Sequence, residues 1–150
     1  MKQLVFKTNS ALETQKKAFK ILPFLENINV ICLYGPLGAG KTCFSQGMAK
    51  ALGVEKRVIS PTFILLKEYD LKNKENKTIF TKLYHLDCYK IRDNKDIKSV
   101  SLTELWQNPK NLILIEWAEK VAAILPKERI DIKFKYLSLG ERKIKVDINN

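Results

Sequence analysis

The chain has 150 residues, of which 45% are apolar, and its 27 basic and 16 acidic residues give a net charge of +11. This length supports one hydrophobic core, so we expect a single domain spanning residues 1–150. No apolar run reaches the roughly 18 residues that cross a bilayer, and the first residues lack the apolar stretch of a secretory signal, so we expect a cytoplasmic protein without membrane contact.

The first predicted elements are a strand, a helix and a second strand. KQLVFKT alternates apolar and polar residues, as a half-buried strand does. Ser10 can cap a helix that has Glu13 at its third position, and we expect this helix to run to about Leu22 and to end before Pro23. INVICLY is a nearly continuous apolar run, which predicts a strand buried in a parallel sheet.

A glycine-rich stretch follows the second strand directly. Gly35-Pro36-Leu37-Gly38-Ala39-Gly40-Lys41-Thr42 fits the phosphate-loop pattern of Gly, four residues, then Gly-Lys-Thr. Glycines let successive backbone N–H groups point into one concavity, where the following helix presents its positive end. In such a loop Lys41 reaches the β and γ phosphates, and the Thr42 hydroxyl coordinates Mg²⁺.

The segment after the loop has the spacing of a helix. Phe44, Met48 and Leu52 recur on one helical face, and Gly53 supplies a stop. The loop therefore lies between a strand and a helix, as phosphate binding by this motif requires.

The middle of the chain predicts two strands and a helix. FILLKEYDLKNKENKTIFTKLYHLDCYKI is typical of two long strands joined by a polar turn at residues 73–77. Asp93 can cap a helix that carries Ile97, Val100 and Leu105.

The remaining segments complete an α/β fold. NLILIEW predicts another buried strand, and AEKVAAIL predicts a short helix closed by Pro126. RIDIKFKYLSLGERKIKVDI predicts a terminal hairpin that turns near Leu139 and Gly140. The expected architecture is a P-loop NTPase-like three-layer α/β sandwich, with parallel central strands and antiparallel hairpin additions.

Two acidic residues are candidates to act beside the loop. Glu116 closes the apolar run 111–115. A metal held by one hydroxyl and by phosphate oxygens still needs a carboxylate, so we favour a metal-binding or water-activating role for Glu116 over a solvent-exposed strand end. Asp87, in YHLDCYK, is either a functional acid or a residue on the wet face of a hairpin, and the pattern leaves both open. We assign no catalytic role to His85.

Thr62 lies in SPTF, an extended segment that follows the loop helix. A threonine in such a segment can sense the γ-phosphate, as the switch segments of other phosphate-loop proteins do. From the residues alone, we favour the alternative that SPTF is the capped start of a strand rather than a switch segment.

Four motifs occur in order along the chain, namely GPLGAGKT, SPTF, YHLDCYK and IEWAEKVAAILP. Together they resemble the TsaE family, also called YjeE, the bacterial ATPases required for making threonylcarbamoyladenosine in tRNA. The resemblance spans nearly the whole chain, from Glu13 and Thr14 to Gly140 and Arg142 in the predicted hairpin. Four ordered motifs are far more specific than the loop alone.

The resemblance implies a site for ATP and Mg²⁺. The loop backbone and Lys41 would bind the ATP phosphates, Thr42 and Glu116 would hold Mg²⁺, and the segment 10–14 would approach the adenine. Asp87 would be a functional acid near the nucleotide. The implied ATP-binding residues are Thr14, Gly35, Leu37, Gly38, Ala39, Gly40, Lys41 and Thr42, and the implied catalytic residues are Lys41, Thr62, Asp87 and Glu116.

The resemblance also implies partners. It gives Thr62 a switch-like role and places Trp117 next to the site. The partners of the family are TsaB and TsaD, and TsaD transfers the threonylcarbamoyl group to tRNA. The implied function is a Mg²⁺-dependent ATPase, weak alone and stimulated by the TsaB and TsaD complex, that contacts tRNA indirectly or weakly.

The chain departs from the family pattern at two positions. The family commonly has Asp where this chain has Pro36, and proline has no N–H to donate to a phosphate. The family commonly has Arg where this chain has Lys90, which keeps the charge but loses the bidentate fork of a guanidinium.

Other functions fit parts of the sequence. A small-molecule or nucleotide kinase would use the same loop, with Arg92 or Arg129 serving a lid. A GTPase switch is disfavoured, because the chain has neither an N-K-x-D nor a D-x-x-G motif. An RNA-binding module that uses nucleotide only structurally would suit the charge of +11, although the basic residues are mostly scattered lysines.

Overall fold

The computed structural model describes residues 1–56, 58, 66–72, 78–92, 96 and 101–150. Within them, seven strands form one sheet. The strands are β1 (Lys2–Thr8), β2 (Val30–Tyr34), β3 (Leu66–Asp70), β4 (Lys82–Asp87), β5 (Asn111–Glu116), β6 (Arg129–Ser138) and β7 (Glu141–Asn149). The helices are α1 (Ala11–Ala18), α2 (Lys41–Ala51) and α3 (Leu102–Gln107), with 3-10 helices at Phe19–Phe24 and Ala118–Ile124.

The sheet has a parallel centre with antiparallel strands on both sides. Its order is β1-β7-β6-β2-β5-β4-β3. The neighbouring strands β6, β2, β5 and β4 run parallel, whereas the pairs β1–β7, β6–β7 and β3–β4 are antiparallel. Every residue of β5 is buried, as the continuous apolar run NLILI predicts for a central parallel strand.

Helices cover both faces of the central strands. Ile31 and Leu33 of β2 share one buried cluster with Phe44 of α2, whereas Cys32 shares another with Leu102 of α3. Because successive side chains of a strand point to opposite faces, β2 contributes to both clusters. The architecture is therefore the three-layer α/β sandwich that the sequence predicts. In the described part of the chain, no helix has the length and apolar composition needed to cross a membrane.

The first helix differs from its prediction at its end. Ser10 caps it as expected, since its hydroxyl accepts the backbone N–H of Glu13 at 3.1 Å. The predicted end near Leu22 is wrong, because α1 ends at Ala18 and a 3-10 helix continues through Pro23 to Phe24. The tight turns of a short 3-10 segment suit the fixed φ of proline, which would break an α-helix.

Two strands form in the middle of the chain as predicted, but they are shorter than the long strands expected, since β3 spans Leu66–Asp70 and β4 spans Lys82–Asp87. Strands β3 and β4 pair antiparallel, but β4 also pairs in parallel with β5. Leu105 lies in α3, whereas Asp93, Ile97 and Val100 of the predicted helix lie outside the described residues, as does the turn at 73–77. The segment AEKVAAIL forms the predicted short helix, as a 3-10 helix over Ala118–Ile124. The terminal hairpin turns at Leu139 and Gly140 as predicted.

The backbone of α1 lies against α2 at Gly47. A Cβ added to Gly47 would lie 2.3 Å from the carbonyl oxygen of Gln15 and 2.6 Å from its Cα. Both distances are far shorter than a van der Waals contact, so the spacing of the two helices requires glycine here. Thr14, the neighbour of Gln15 on α1, is fully buried beside the loop residue Gly40.

Candidate active site

The carboxyl ends of three parallel strands meet beside the phosphate loop. In the pairing register, Glu116 of β5 lies opposite Leu33 of β2 on one side and Asp87 of β4 on the other. Strand β2 leads directly into the loop at residues 35–40. Ligands of open α/β sheets bind outside the carboxyl ends of such strands, so the topology brings both acids to the expected position.

The loop has the backbone conformation of a phosphate cradle. Gly35, Gly38 and Gly40 have φ of 144°, 75° and 110°, a region that residues with a side chain rarely adopt. At Gly35 a Cβ would also lie 2.8 Å from the carbonyl oxygen of Phe134. Gly40 is the N-cap of α2 and supplies no side-chain cap, so the first N–H groups of the helix are left for a ligand.

Lys41 is folded back onto this loop. Its Nζ donates to the carbonyl oxygens of Gly35 and of Pro36, the latter at 2.9 Å, and lies 4.1 Å from the centre of the Trp117 ring. Burial lowers the pKa of the Lys41 ammonium, and the carboxylate of Glu116 partly offsets this. The loop thus holds a largely desolvated cation whose partners are carbonyl oxygens and a ring face, which an anion can replace.

Glu116 is held by side chains from two elements. Its Oε2 accepts the Thr42 hydroxyl of α2 at 3.1 Å. Its Oε1 lies 3.0 Å from the Ser45 hydroxyl of α2 and 2.8 Å from Nε2 of His85 on β4. Glu116 is only 2% exposed, and these contacts compensate the burial of its carboxylate.

Asp87 occupies the corresponding position at the end of β4. It is 5% exposed, and its Oδ1 accepts the backbone N–H of Tyr89 at 2.9 Å. The alternative that placed Asp87 on the wet face of a hairpin is therefore wrong. That alternative failed because β4 has β5 as its other neighbour, and this long-range pairing buries the strand end.

The loop and both acids line one cleft. Its volume is about 290 Å³, near the lower end of the usual range for ligand pockets. The rings of Tyr89 and Trp117 lie 5.0 Å apart between their centroids. The residues that line the cleft are Leu37, Gly38, Gly40, Lys41, Thr42, Cys43, Asp87, Tyr89, Glu116 and Trp117.

Three predicted ATP-binding residues, Gly35, Ala39 and Thr14, are not among the residues that line the cleft. Gly35 and Ala39 belong to the loop itself, whereas Thr14 lies on α1. It is buried behind Gly40, where its hydroxyl lies 2.9 Å from that of Thr8 and 3.5 Å from a guanidinium nitrogen of Arg142. Thr62 lies outside the described residues.

The donor set at the end of β5 suits Mg²⁺. Thr42 and Glu116 offer a hydroxyl and a carboxylate oxygen that already touch each other. In the described part of the chain, no group of three or more His, Cys, Asp and Glu residues could hold a metal by itself. Mg²⁺ is typically bound through one or two protein oxygens together with phosphate oxygens, so these two residues fit a metal that arrives with a nucleotide.

Sequence reasoning missed Ser45 and His85. Ser45 follows Thr42 by three residues, so both hydroxyls lie on one face of α2. His85 precedes Asp87 by two residues, so both side chains point to the same face of β4. These spacings identify Ser45 and His85 as neighbours of Glu116 only once it is known that α2 and β4 lie on either side of Glu116.

Comparison with known proteins gives the family of the chain. The family described as "Threonylcarbamoyl adenosine biosynthesis protein TsaE" matches residues 8–144. The chain is similar to the tRNA threonylcarbamoyladenosine biosynthesis protein TsaE of Bacillus subtilis, at 37% identity over 96% of this chain and 85% of the relative. It is also similar to the TsaE protein of Treponema pallidum, at 34% identity over 93% of this chain and 96% of the relative.

A solved structure extends the comparison to the fold. The crystal structure of YdiB from Bacillus subtilis superimposes with a TM-score of 0.78 and 32% identity, covering 99% of this chain and 87% of that chain. The likeness therefore extends over the fold as a whole rather than over the loop alone. The chain belongs to the TsaE family, which takes part in the biosynthesis of threonylcarbamoyladenosine in tRNA.

Proposed function

We propose that this protein binds ATP with Mg²⁺ at the phosphate loop and hydrolyses the ATP during threonylcarbamoyladenosine formation. The observation that carries the proposal is the 3.1 Å contact between the Thr42 hydroxyl and Glu116, both of which line the cleft beside the loop. A hydroxyl directly after the loop lysine, touching a carboxylate from a neighbouring strand end, is the Mg²⁺-binding arrangement of phosphate-loop NTPases.

Each residue of the cleft has a distinct role in this proposal. The N–H groups of the loop and of the first turn of α2 would bind phosphate oxygens. Lys41 Nζ would exchange the carbonyl oxygens of Gly35 and Pro36 for the β and γ phosphates. Thr42 and Glu116 would hold Mg²⁺, whose chemistry in such sites is to neutralise the charge that develops on the phosphates.

Asp87 would act on the water that attacks the γ-phosphate. It lines the same cleft as Glu116 and lies at the same level of the sheet. A carboxylate in this position can orient a water molecule and accept its proton.

We propose the TsaB and TsaD complex as the partner that completes the site. Among the described residues, no arginine lines the cleft. Arg129 is engaged with Asp131 through a 2.9 Å contact, and Arg142 is directed toward Thr14. In phosphate-loop NTPases an arginine supplied by a partner contributes on the order of 10³ to 10⁵ in rate, so the isolated protein would hydrolyse ATP slowly.

Contact with tRNA is indirect or weak in this proposal. Two lysines of β6 and β7 lie near an acid on the same sheet, since Lys133 and Lys145 lie 3.2 Å and 3.7 Å from the carboxylate of Asp147. Such pairing reduces the positive field that phosphodiester binding uses.

The test is steady-state phosphate release with and without TsaB and TsaD. We expect turnover to rise at least about tenfold when both are present, a modest fraction of the effect of an arginine finger. Lys41→Ala removes the loop cation and should abolish ATP binding and the rise. Fast turnover by the protein alone, or no response to the partners, would contradict the proposal.

The same preparation tests the kinase alternative. Transfer of the γ-phosphate to a member of a panel of phosphate acceptors, rather than to water, would replace the ATPase assignment. Both functions use the loop, so only the identity of the acceptor separates them.

A further inference from the structure

His85 is the only histidine of the chain, and it is completely buried on β4. Its Nε2 lies 2.8 Å from Oε1 of Glu116. Its other ring nitrogen, Nδ1, is buried without a hydrogen-bond partner among the described residues. The carboxylate of Glu116 is thus the one polar contact recorded for this side chain in the described part of the protein.

Packing alone does not account for a histidine at this position. A buried ring nitrogen without a partner loses its hydrogen bonds to water and gains none in return. A leucine in the same position would avoid that cost, as Leu83 does two residues earlier on the same face of β4, fully buried in the core. The hydrogen bond between Nε2 and Glu116 offsets the cost of burying Nδ1, which has no partner among the described residues.

The three partners of Glu116 differ in whether they can keep their hydrogen bond to it when a ligand binds. The Thr42 hydroxyl, which now donates to Oε2, is the group that would turn to Mg²⁺. The Ser45 hydroxyl lies within hydrogen-bond distance of both Oε1 and the carbonyl oxygen of Lys41, and its single proton serves one of them at a time. His85 reaches Oε1 from the sheet and has no competing acceptor among the described residues.

We propose that His85 is a positioning residue, whose Nε2–H holds Oε1 of Glu116 so that Oε2 faces Thr42 and the phosphate end of the cleft. The inference rests on the proposed nucleotide function of that cleft. Outer partners of a metal ligand fix the orientation of the ligand, and their loss typically lowers metal affinity about 10- to 100-fold. His85 would therefore act on Mg²⁺ affinity through Glu116, without touching the nucleotide.

The first test is the tautomer of His85 in the ligand-free protein. Nitrogen NMR of ¹⁵N-histidine-labelled protein reports on this residue alone, because the chain has no other histidine. We expect a proton on Nε2 and none on Nδ1. A proton on Nδ1 with a bare Nε2 would overturn the proposal, since that ring could not donate to Glu116. This test needs no nucleotide and is therefore independent of the proposed function.

The second test compares His85→Leu with His85→Gln. Leucine removes the donor, whereas the glutamine side chain can place an N–H near the position of Nε2. For each variant, ATP affinity is measured without Mg²⁺ and over a Mg²⁺ titration, and thermal unfolding is recorded. We expect His85→Leu to keep its melting temperature and its Mg²⁺-free affinity but to need about tenfold more Mg²⁺, and His85→Gln to need an amount close to that of the wild type.

Two results separate failure of this inference from failure of the proposed function. If the wild-type protein binds Mg²⁺-ATP and both variants match its Mg²⁺ requirement, the positioning role is wrong while the ATP site stands. If the wild-type protein binds no ATP, the proposed function is wrong, and the NMR measurement still decides whether His85 donates to Glu116. A lower melting temperature for both variants with an unchanged Mg²⁺ requirement would make His85 a purely structural residue.

Discussion

Glu116 and Asp87 end neighbouring parallel strands at the same level, yet their surroundings differ. Both are nearly buried, at 2% and 5% exposure, and they lie opposite each other in the β4–β5 register. Glu116 contacts three side chains that lie on both α2 and β4. Asp87 accepts the backbone N–H of Tyr89, two residues further along its own chain.

The different roles proposed for the two acids fit this difference in surroundings. A carboxylate fixed from several directions presents its free electron pairs in one geometry, which suits a metal ligand. Asp87 lines the cleft and accepts a backbone N–H of the turn that follows its strand, which fits the water-orienting role proposed for it. Burial alone does not distinguish these two proposed roles, since both acids are nearly buried.

The largest expected effect comes from neutralising the firmly held acid. Glu116→Gln keeps the size of the side chain but removes the charge, so we expect ATP binding to persist while phosphate release falls by about 10³, a loss typical of removing one preorganised electrostatic group. Glu128→Gln, the same change at an exposed acid that does not line the cleft, is the matched control and should stay near the wild-type rate. Near-wild-type turnover of Glu116→Gln would show that Glu116 only ends its strand and has no catalytic role.

A smaller effect is expected at the locally held acid. Asp87→Asn retains an oxygen that can accept from Tyr89 N–H, so the turn should persist. Loss of the carboxylate should slow phosphate release by about 10², the lower end for a general base, with ATP affinity unchanged. The measurement is single-turnover hydrolysis beside equilibrium binding. An unchanged rate would confine Asp87 to a structural role at the end of β4.

The smallest effect concerns pH and the loop cation. Burial lowers the pKa of Lys41, and Glu116 raises it more than Asp87 does. Since only the protonated amine attracts phosphate, ATP affinity should fall as pH rises, beginning below the range of an exposed lysine, whose pKa is about 10.4. Binding isotherms over this range should show an earlier loss in Glu116→Gln than in Asp87→Asn.

An arginine at the same position provides the control for this pH dependence. Lys41→Arg keeps its charge throughout the range, so whatever affinity it retains should not change with pH. Equal pH profiles for Glu116→Gln and Asp87→Asn would show that the two acids have the same effect on the pKa of Lys41.

The sequence predicted features that depend on neighbouring residues and left open those that depend on distant ones. The loop was identifiable because its glycines, the preceding apolar strand and the following helix are contiguous. Glu116 stood out because it ends a fully apolar run. Asp87 stayed ambiguous because only the pairing of β4 with β5 determines its burial. His85 was dismissed for the same reason, since its partner Glu116 is 31 positions away in the sequence.

Gly47 permits the short distance between α1 and α2, and the position of Thr14 behind the phosphate loop depends on that distance. Gly47 lies about two turns along α2 from Gly40, and the backbone of α1 rests where its side chain would be. A methyl group there would push α1 outward, and Thr14 would move with it away from the back of the loop. A substitution at Gly47 would therefore disturb the back of the phosphate loop from α1, and we expect it to weaken the proposed nucleotide binding although Gly47 does not line the cleft.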